Sequence, residues 1–296
     1  MIVSKVNWSI NGDDTSLIKG FSFRESAFTL YKVIFVTFLP VKTSHFIYLQ
    51  QIVNSMKVSD IVINKINRFK TGYVFTYDDF DIPVKNLSAL KMSLNRLVST
   101  GKIVRLSKGQ FYKPEVTQFG SLRPTEYQIV KDLLEDDNKI IGYLTGISAF
   151  NKLGLTTQVS NTIQIGTNMV RKPKKRGKYN IRFILQKNTI TKDNINLLQI
   201  LDSVRFIKRI PDSDVSRSCK LIISIVRSLT ELDLLTMARL SMKYNPGTRA
   251  LAGAIIDQAS DSGITEQLLD SLNPVSVFSF NISNETLGNK LKWRIS

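Results

Sequence analysis

A helix followed by a hairpin between Ile82 and Pro114 is the feature that most constrains this chain. Apolar residues recur there at helical spacing, namely at Leu87, Leu90, Leu94, Leu97 and Val98. This spacing predicts one buried helical stripe, with Asn86 as the N-terminal cap and Gly101 as the terminator. Residues 103–106 and 110–113 are predicted to be two strands joined by a tight turn. A helix and hairpin in this order are typical of a recognition helix and its wing.

The opposite face of the predicted helix is polar and basic. Between Lys85 and Lys113 there are seven Lys or Arg residues and no Asp or Glu. Asn95 and Arg96 are suited to base edges, since Asn pairs with adenine and Arg with guanine. Side chains nearer the ends are suited to phosphates. The predicted DNA-binding set is Lys85, Asn86, Ser88, Lys91, Met92, Asn95, Arg96, Arg105, Lys108 and Lys113. The alternatives are a winged helix used only for protein contacts and a charged face that is merely solvated.

The overall charge favours a polyanionic partner. The 296 residues include 41 Lys or Arg and 24 Asp or Glu, a net charge of +17. Such an excess attracts nucleic acid first, and an acidic membrane or protein surface second. The length predicts two domains. The single cysteine, Cys219, excludes an internal disulfide and is typical of a reducing compartment.

The chain divides into four predicted segments. Residues 1–55 are an extension that is either disordered or produced by translation upstream of a natural start at Met56; the alternative is a membrane or partner-binding segment. Its apolar run, Val33–Leu39, is too short to span a bilayer, which takes about 20 residues. Residues 56–114 are a winged helix-turn-helix domain, 115–123 a linker, and 124–296 an α+β domain with a helical C-terminal part.

Further local signals complete the predicted elements. In the first domain a helix runs from Ser59 to about Phe69, a strand covers 73–76, and Thr76 with Asp79 forms a capping pair for a short second helix. In the second domain Thr125 and Gln128 form a capping box. The remaining predicted elements are strands at 140–144, 162–166 and 179–186 and helices at 146–153, 214–229, 231–243, 247–258 and 265–272.

A second acid-free stretch lies in the α+β domain. From Lys139 to Lys192 there are eleven basic residues and no acidic one, and residues 171–178 are predicted to be a basic loop. Three interpretations of this loop are open: it binds nucleic acid or an acidic partner, it is a nuclear localisation signal, or it is only a solvated turn between strands. On the following strand Arg182 and Phe183 are predicted to face opposite ways. The predicted basic face comprises Arg171, Lys172, Lys174, Lys175, Arg176, Lys178, Arg182 and Lys187.

Enzyme motifs are missing from the sequence. We find no P-loop, no dinucleotide fingerprint, no zinc-protease motif and no nucleophile elbow. With one histidine, His45, and one cysteine, a zinc site is not expected. We therefore expect no catalytic residues, no metal and no cofactor. Tyr143, Phe150 and Tyr179 are predicted to be core residues, with base stacking as the alternative.

Three strings resemble a known family. They are Leu90-Lys-Met-Ser-Leu-Asn-Arg-Leu-Val with Gly101-Lys-Ile-Val-Arg-Leu and Lys108-Gly-Gln-Phe-Tyr, then Gly142-Tyr-Leu-Thr-Gly-Ile-Ser-Ala-Phe-Asn-Lys-Leu-Gly-Leu-Thr-Thr-Gln158, then Tyr244-Asn-Pro-Gly-Thr-Arg-Ala-Leu-Ala-Gly253. Together they resemble the AbiE-type antitoxins of prokaryotic abortive-infection, or type IV toxin–antitoxin, systems. The resemblance spans about residues 56–272. Ser160, Asn245 and Gly247 depart from the family pattern.

The resemblance implies a function that composition does not show. It implies a transcriptional autorepressor that binds double-stranded DNA at the operator of its own operon. It also implies an antitoxin that counteracts a nucleotidyltransferase-like toxin, with the second domain and its basic face carrying that activity. The alternative is an RNA-binding or nuclease-associated winged-helix protein with no toxin partner. For either role we expect a cytoplasmic protein without a membrane partner.

Overall fold

The computed structural model describes residues 57–137, 139–260 and 263–296. Helices are α1 (Val58–Arg68), α2 (Leu87–Ser99), α3 (Glu126–Leu134), α4 (Ile147–Lys152), α5 (Ile195–Arg205), α6 (Val215–Arg227), α7 (Glu231–Ser241), α8 (Pro246–Ala259) and α9 (Glu266–Asp270). Strands are β1 (Val74–Phe75), β2 (Val104–Ser107), β3 (Gln110–Tyr112), β4 (Glu115–Thr117), β5 (Gly120–Leu122), β6 (Glu135–Asp136), β7 (Lys139–Ile140), β8 (Gly142–Thr145), β9 (Thr162–Thr167), β10 (Lys174–Arg176) and β11 (Tyr179–Leu185). The fold is mixed α+β, as predicted. The predicted extension over residues 1–55 and the predicted start at Met56 lie outside the described residues.

Residues 58–113, here called the helix–hairpin module, fold around an aromatic core. Strands β1, β3 and β2 form one antiparallel sheet, in which Val74 pairs with Tyr112. The helices cover that sheet because their apolar stripes face it. The buried residues of this module are Val62, Ile66, Phe75, Phe80, Leu90, Leu94, Leu97, Ile103 and Phe111. The predicted stripe of α2 is confirmed at its three central leucines, while Leu87 and Val98 are half-buried.

The predicted second helix of this module does not form. The Asp79 carboxylate accepts hydrogen bonds from the Thr76 backbone N–H at 2.7 Å and the Tyr73 hydroxyl at 3.0 Å. These bonds close a turn rather than start a helix. Pro83 follows only four residues later and disfavours helical conformation at Ile82. The segment between Asp79 and Pro83 is therefore too short for a helix.

The two ends of α2 differ from each other in how well they match the prediction. The chain enters through a 3₁₀ turn, Val84–Asn86, and the Asn86 side chain makes no capping hydrogen bond, so its predicted role as a capping side chain is wrong. The turn supplies the backbone geometry instead. At the other end Gly101 has a φ of +71° and donates its N–H to the Val98 carbonyl at 3.0 Å. A left-handed glycine is a common helix stop, so that prediction is confirmed.

The segment predicted as a linker has structure of its own. Strands β4 and β5 form an antiparallel hairpin, with Glu115 opposite Leu122. Helix α3 then begins with the Thr125 hydroxyl accepting a hydrogen bond from the Gln128 N–H at 3.3 Å, as predicted. The Gln128 side chain instead accepts a hydrogen bond from the Val74 N–H at 3.4 Å. This contact ties the start of α3 to strand β1.

Residues 124–296, here called the sheet–helix module, contain a four-stranded sheet in the order β10-β11-β9-β8. Strands β9 and β11 are parallel, and the other two pairs are antiparallel. Part of the predicted basic loop is strand β10, because Gly177 at a φ of +52° allows a tight reversal into β11. Helix α3 covers one face of the sheet, burying Ile129, Val130, Leu133, Leu134, Ile163, Ile165, Tyr179 and Ile181 together.

Helices α5, α6 and α7 pack around α8, which is buried along most of its length. Helices α6 to α9 lie within a few residues of their predicted bounds. Helix α5 has no predicted counterpart, because every residue from Leu197 to Val204 is buried and an amphipathic period is therefore absent. The C-terminal residues pack against α8. The fully buried Trp293 ring lies directly against Gly253 of that helix. A side chain at that position would displace the ring.

Candidate nucleic-acid interface

The outward face of α2 is the first element of the candidate interface. The five residues of the predicted DNA-binding set that lie within this helix are all exposed, and Met92 shows 68% of its surface. They are Ser88, Lys91, Met92, Asn95 and Arg96. Lys85 is also exposed, and Asn86 is half-buried. The leucine stripe behind this face positions it, since burying that stripe fixes the rotation of the helix. Helix α2 therefore presents polar, basic and flexible side chains to solvent.

The hairpin β2–β3, here called the wing, is joined to α2 by one arginine. A guanidinium N–H of Arg105 donates to Asn95 Oδ1 at 2.5 Å, and the guanidinium carbon lies 5.2 Å from the centre of the Phe111 ring. The sequence predicts a DNA contact for both Asn95 and Arg105, and the structure brings the two together. A bidentate contact from Asn95 to adenine uses the same oxygen. Since that oxygen has two lone pairs, it can accept from adenine while it still accepts from Arg105.

Two further predicted DNA-contacting lysines are held by the protein itself. Lys91 Nζ lies 5.7 Å from the centre of the Tyr77 ring, a cation–π distance that keeps the ammonium near solvent. Lys113 Nζ donates to the Asn67 carbonyl at 3.2 Å and the Phe69 carbonyl at 3.4 Å, at the C-terminal end of α1. A cation there satisfies unpaired helix carbonyls. Lys113 thus has a structural role at the end of α1, and its phosphate contact stays a prediction.

Two acidic residues of the helix–hairpin module, Asp79 and Asp81, are engaged by groups outside α2 and the wing. Lys65 Nζ and Asp81 form an ion pair at 2.9 Å. Asp79 is bound to the turn described above, where burial and this carboxylate together raise the pKa of Tyr73 to about 12. Lys108 on the wing and Arg96 on α2 are exposed. The segment that forms α2 and the wing, residues 85–113, therefore contributes basic groups and no carboxylate to this surface.

The second predicted basic surface is less uniform than its sequence indicates. Arg176 is buried, and its guanidinium makes two hydrogen bonds to the Asp132 carboxylate and one, at 2.7 Å, to the Ile129 carbonyl. In β10 the side chains alternate between sheet faces, and Arg176 lies opposite Tyr179 on the face covered by α3. Its predicted place on the basic face is therefore wrong. The neighbouring lysines, Lys174, Lys175 and Lys178, are exposed.

The other members of this predicted face occupy three different settings. Arg171 is half-buried, with its guanidinium carbon 5.8 Å from the centre of the Phe183 ring. Arg182 is exposed, and Phe183 packs toward the core, so their predicted opposite orientation is confirmed. Lys172 and Lys187 are exposed beyond the strand ends. The structure therefore does not gather all eight residues into one continuous surface.

The sequence strings that begin at Gly142 and Tyr244 meet at one buried carboxylate. Asp202 accepts hydrogen bonds from the hydroxyls of Tyr143 at 2.7 Å, Thr145 at 2.7 Å and Tyr244 at 2.9 Å. The side-chain amide of Gln186 donates to both tyrosine hydroxyls at 2.9 Å. Each tyrosine hydroxyl therefore donates one hydrogen bond and accepts another, as buried polar groups require.

Burial controls the protonation of this cluster. It raises the pKa of Asp202 above its ordinary value, while the three hydroxyl hydrogen bonds oppose that shift. Burial and the neighbouring carboxylate also raise the pKa of the Tyr143 and Tyr244 phenols, which remain protonated donors at neutral pH. Asp202 is almost wholly buried, and its hydrogen bonds join strand β8 and helix α5 to Tyr244. Tyr143, Phe150 and Tyr179 are core residues, as predicted.

Three residues that matter in the structure were not singled out from the sequence. Tyr77 lies beneath Lys91, Asp202 holds the buried hydroxyls, and Gly177 forms the reversal between β10 and β11. The signal for Asp202 is an acidic residue inside the apolar run Leu197–Val204. A charge in such a run indicates a buried, hydrogen-bonded group. Nothing in the sequence distinguishes Tyr77 from the other aromatic residues of its module.

Three other kinds of site were sought in the part of the chain that the structure describes: a metal site, a membrane-spanning helix and a reactive thiol. Within residues 57–137, 139–260 and 263–296, no three or more His, Cys, Asp or Glu side chains are grouped as metal ligands. Across the same ranges, no helix has both the length and the apolar character that crossing a bilayer demands. Burial raises the pKa of Cys219 to about 12, so its thiol is unreactive at neutral pH.

Comparisons with known proteins give a family and a fold. A family model described as "Family of unknown function (DUF6088)" matches residues 61–234, more than half of the chain. No curated protein matches. Among solved structures, the crystal structure of the RV2827C protein from Mycobacterium tuberculosis superposes with a TM-score of 0.51 at 12% sequence identity, covering 79% of this chain and 89% of that chain. At that identity the likeness concerns the fold alone.

Proposed function

This chain belongs to the DUF6088 family, whose function is unknown, and we propose that it is a DNA-binding transcriptional autorepressor and antitoxin. The observation that carries the DNA-binding part is the exposed face of α2 beside the wing. A helix that buries one stripe and exposes Asn, Arg, Lys and Ser side chains suits the major groove. The resemblance to AbiE-type antitoxins supports the second part, in which the partner is a nucleotidyltransferase-like toxin. Such a protein would act in the cytoplasm.

The parts of the interface have different tasks in this proposal. Arg96 and Asn95 read base edges, and Arg105 contacts a phosphate. Lys85, Lys91 and Lys108 contact phosphates, which supplies affinity without sequence preference. The apolar Met92 contacts a thymine methyl group or the sugar edge. Binding therefore depends on salt, because each neutralised phosphate releases counterions.

A gel-shift titration with the DNA upstream of the gene tests the repressor role. We expect Arg96→Ala to lower the preference for that DNA over random duplex by about 1–3 kcal/mol, since it removes a base contact. Lys108→Ala is the matched control; it should weaken both duplexes alike and lower the salt slope by about 1. Equal affinity of the wild type for both duplexes would refute sequence-selective repression.

Co-expression with the neighbouring toxin gene tests the antitoxin role separately. We expect the full chain to restore growth of cells that express the nucleotidyltransferase-like protein. Arg96→Ala should restore growth equally well, because the proposed antitoxin activity belongs to the sheet–helix module. Failure of the wild type to restore growth would remove the antitoxin role and leave the DNA-binding role intact.

A further inference from the structure

The wing is attached to the sheet–helix module through a β-bulge. Pairing between β2 and β3 shifts register between Arg105 and Ser107, so Leu106 is the extra residue. A bulge re-aims the side chain that it carries. Leu106 accordingly packs against the buried cluster between α3 and the four-stranded sheet instead of the core of its own module. The wing is therefore held by a contact outside the helix–hairpin module.

Residues 174–178, here called the basic turn, lie against the same bulged residue. Gly177 approaches the Leu106 carbonyl so closely that an added Cβ would lie 2.5 Å from its oxygen. Its φ of +52° also disfavours any other residue. Only glycine allows the turn and the wing strand to lie this close together. The basic turn is therefore seated on the wing.

The buried arginine fixes how the basic turn is presented. Arg176 is held by Asp132 and the Ile129 carbonyl on one face of the sheet. Within the same turn Lys174, Lys175 and Lys178 remain exposed. Lys108 lies in the turn between β2 and β3, two residues after Leu106, and is exposed. The basic turn thus exposes three lysines, and the neighbouring wing exposes a fourth, Lys108.

We propose that the basic turn is a second DNA-contacting element that extends the wing's phosphate footprint along the duplex. The proposal rests on the proposed DNA binding by α2 and the wing. Its ligand is the double-stranded DNA backbone, because three ammonium groups supply point charges without a planar group to read a base edge. The turn adds affinity and salt dependence, and sequence preference stays with α2.

The test measures duplex affinity of the full chain at several salt concentrations. The triple variant Lys174→Gln, Lys175→Gln and Lys178→Gln removes three charges from the basic turn. Its matched control removes three exposed lysines elsewhere in the same module: Lys192→Gln, Lys220→Gln and Lys243→Gln. We expect the basic-turn variant to lower the slope of log affinity against log salt by about 2–3, since each lost phosphate contact contributes about 0.9. The control should change the slope by less than about 1.

A second variant separates position from charge. Gly177→Ala keeps all three lysines but displaces the turn from the Leu106 carbonyl. If it folds, which a thermal melt establishes, we expect a smaller footprint on the wing side in hydroxyl-radical protection. A protected footprint and salt slope equal to wild type would overturn the proposal. If Gly177→Ala does not fold, the triple-lysine comparison alone decides.

The outcomes distinguish this inference from the proposed function. If the wild type binds no duplex, the proposed function fails and this inference fails with it. If the wild type binds, Arg96→Ala loses selectivity and the basic-turn variant matches its control, only this inference fails. If the basic-turn variant loses affinity for single-stranded RNA but not for duplex DNA, the turn serves RNA, and the inference is again overturned.

Discussion

The helix–hairpin module and the sheet–helix module each use a carboxylate to hold tyrosine hydroxyls, but at different depths. In the first, Asp79 lies in a half-buried turn and binds the Tyr73 hydroxyl and the Thr76 backbone. In the second, Asp202 lies in the core and binds two hydroxyls from strand β8 and one from Tyr244, just before α8. The same chemistry thus closes a local turn in one module and joins distant elements in the other.

Their basic residues differ in a parallel way. In the helix–hairpin module the basic side chains of α2 all lie on its exposed face, opposite the buried leucines. In the sheet–helix module Arg176 is turned inward and paired with Asp132, whereas the lysines around it stay in solvent. A run of basic residues therefore contributes to a binding surface only where the backbone turns its side chains outward. Local sequence does not determine this in a strand.

The largest expected effect comes from Asp202→Asn, which tests whether the core carboxylate contributes more stability than the carboxylate in the turn. The amide offers one oxygen to three hydroxyl donors and adds N–H groups without acceptors. We expect the free energy of unfolding to fall by about 3 kcal/mol, measured by urea titration. Asp136→Asn, at an exposed position, is the control and should change it by less than about 0.5 kcal/mol. Equal stability of both variants would contradict a structural role for the cluster.

The pH dependence of that difference has a definite sign. The folded-state pKa of Asp202 is raised, so its unfolded value near 3.9 is the lower one. The stability that Asp202 contributes is therefore fully present below about pH 3.9 and declines as the pH rises toward the folded-state pKa. Because the substituted amide does not titrate, the stability gap between wild type and Asp202→Asn should narrow as pH increases. A gap that widens would show that the folded-state pKa is lowered instead.

The next effect in size comes from Arg176→Met, which tests whether this cation is structural. The variant leaves the Ile129 carbonyl without its donor and Asp132 without its partner. Since 54% of the Asp132 side chain is exposed, water compensates in part, and we expect a loss of about 1–2 kcal/mol. Lys175→Met, the adjacent residue in the same strand, should change stability by less than about 0.5 kcal/mol. A reversed order of the two variants would place Arg176 on the solvent face.

The smallest expected effect comes from Asp79→Ala in the turn of the helix–hairpin module. It removes the acceptor of the Thr76 N–H and the Tyr73 hydroxyl, but both groups can reach water. We expect a loss of about 1 kcal/mol in denaturant titration. Asp78→Ala is the control, because that neighbouring side chain is exposed. A loss as large as that of Asp202→Asn would remove the contrast between the two modules.

Much of the helix–hairpin module follows from local signals. The stripe from Leu90 to Leu97 fixes the buried side of α2 and thereby its exposed face. Gly101 ends that helix, and the apolar alternation that follows predicts the hairpin. The prediction of a second helix is wrong, because the capping pair at Thr76 and Asp79 also suits a turn and Pro83 leaves no room for more. A 3₁₀ turn replaces the predicted side-chain cap at the start of α2 for a similarly local reason.

The sheet–helix module is harder to predict, since its informative contacts join residues far apart in the chain. Arg176 and Asp132 are 44 residues apart, and Tyr143 and Asp202 are 59 apart. Hydrophobic periodicity is judged over about 11–18 residues, so it carries no information on pairs this far apart. Helix α5 escapes prediction because it is buried on every side, which removes the polar period that marks a surface helix.

The sequence by itself determined the α+β class, the buried and exposed sides of α2, its glycine stop, the hairpin and the acid-free composition of both basic stretches. These are properties of period, turn chemistry and charge, which act over a few residues. Only the tertiary structure decided that Arg176 is buried, that Lys113 holds the end of α1, that Asp202 joins the two strings, and that Gly177 rests on Leu106. Each of these depends on which groups the folded chain brings within hydrogen-bonding or van der Waals distance, and the cost of burying a polar group then selects its partner.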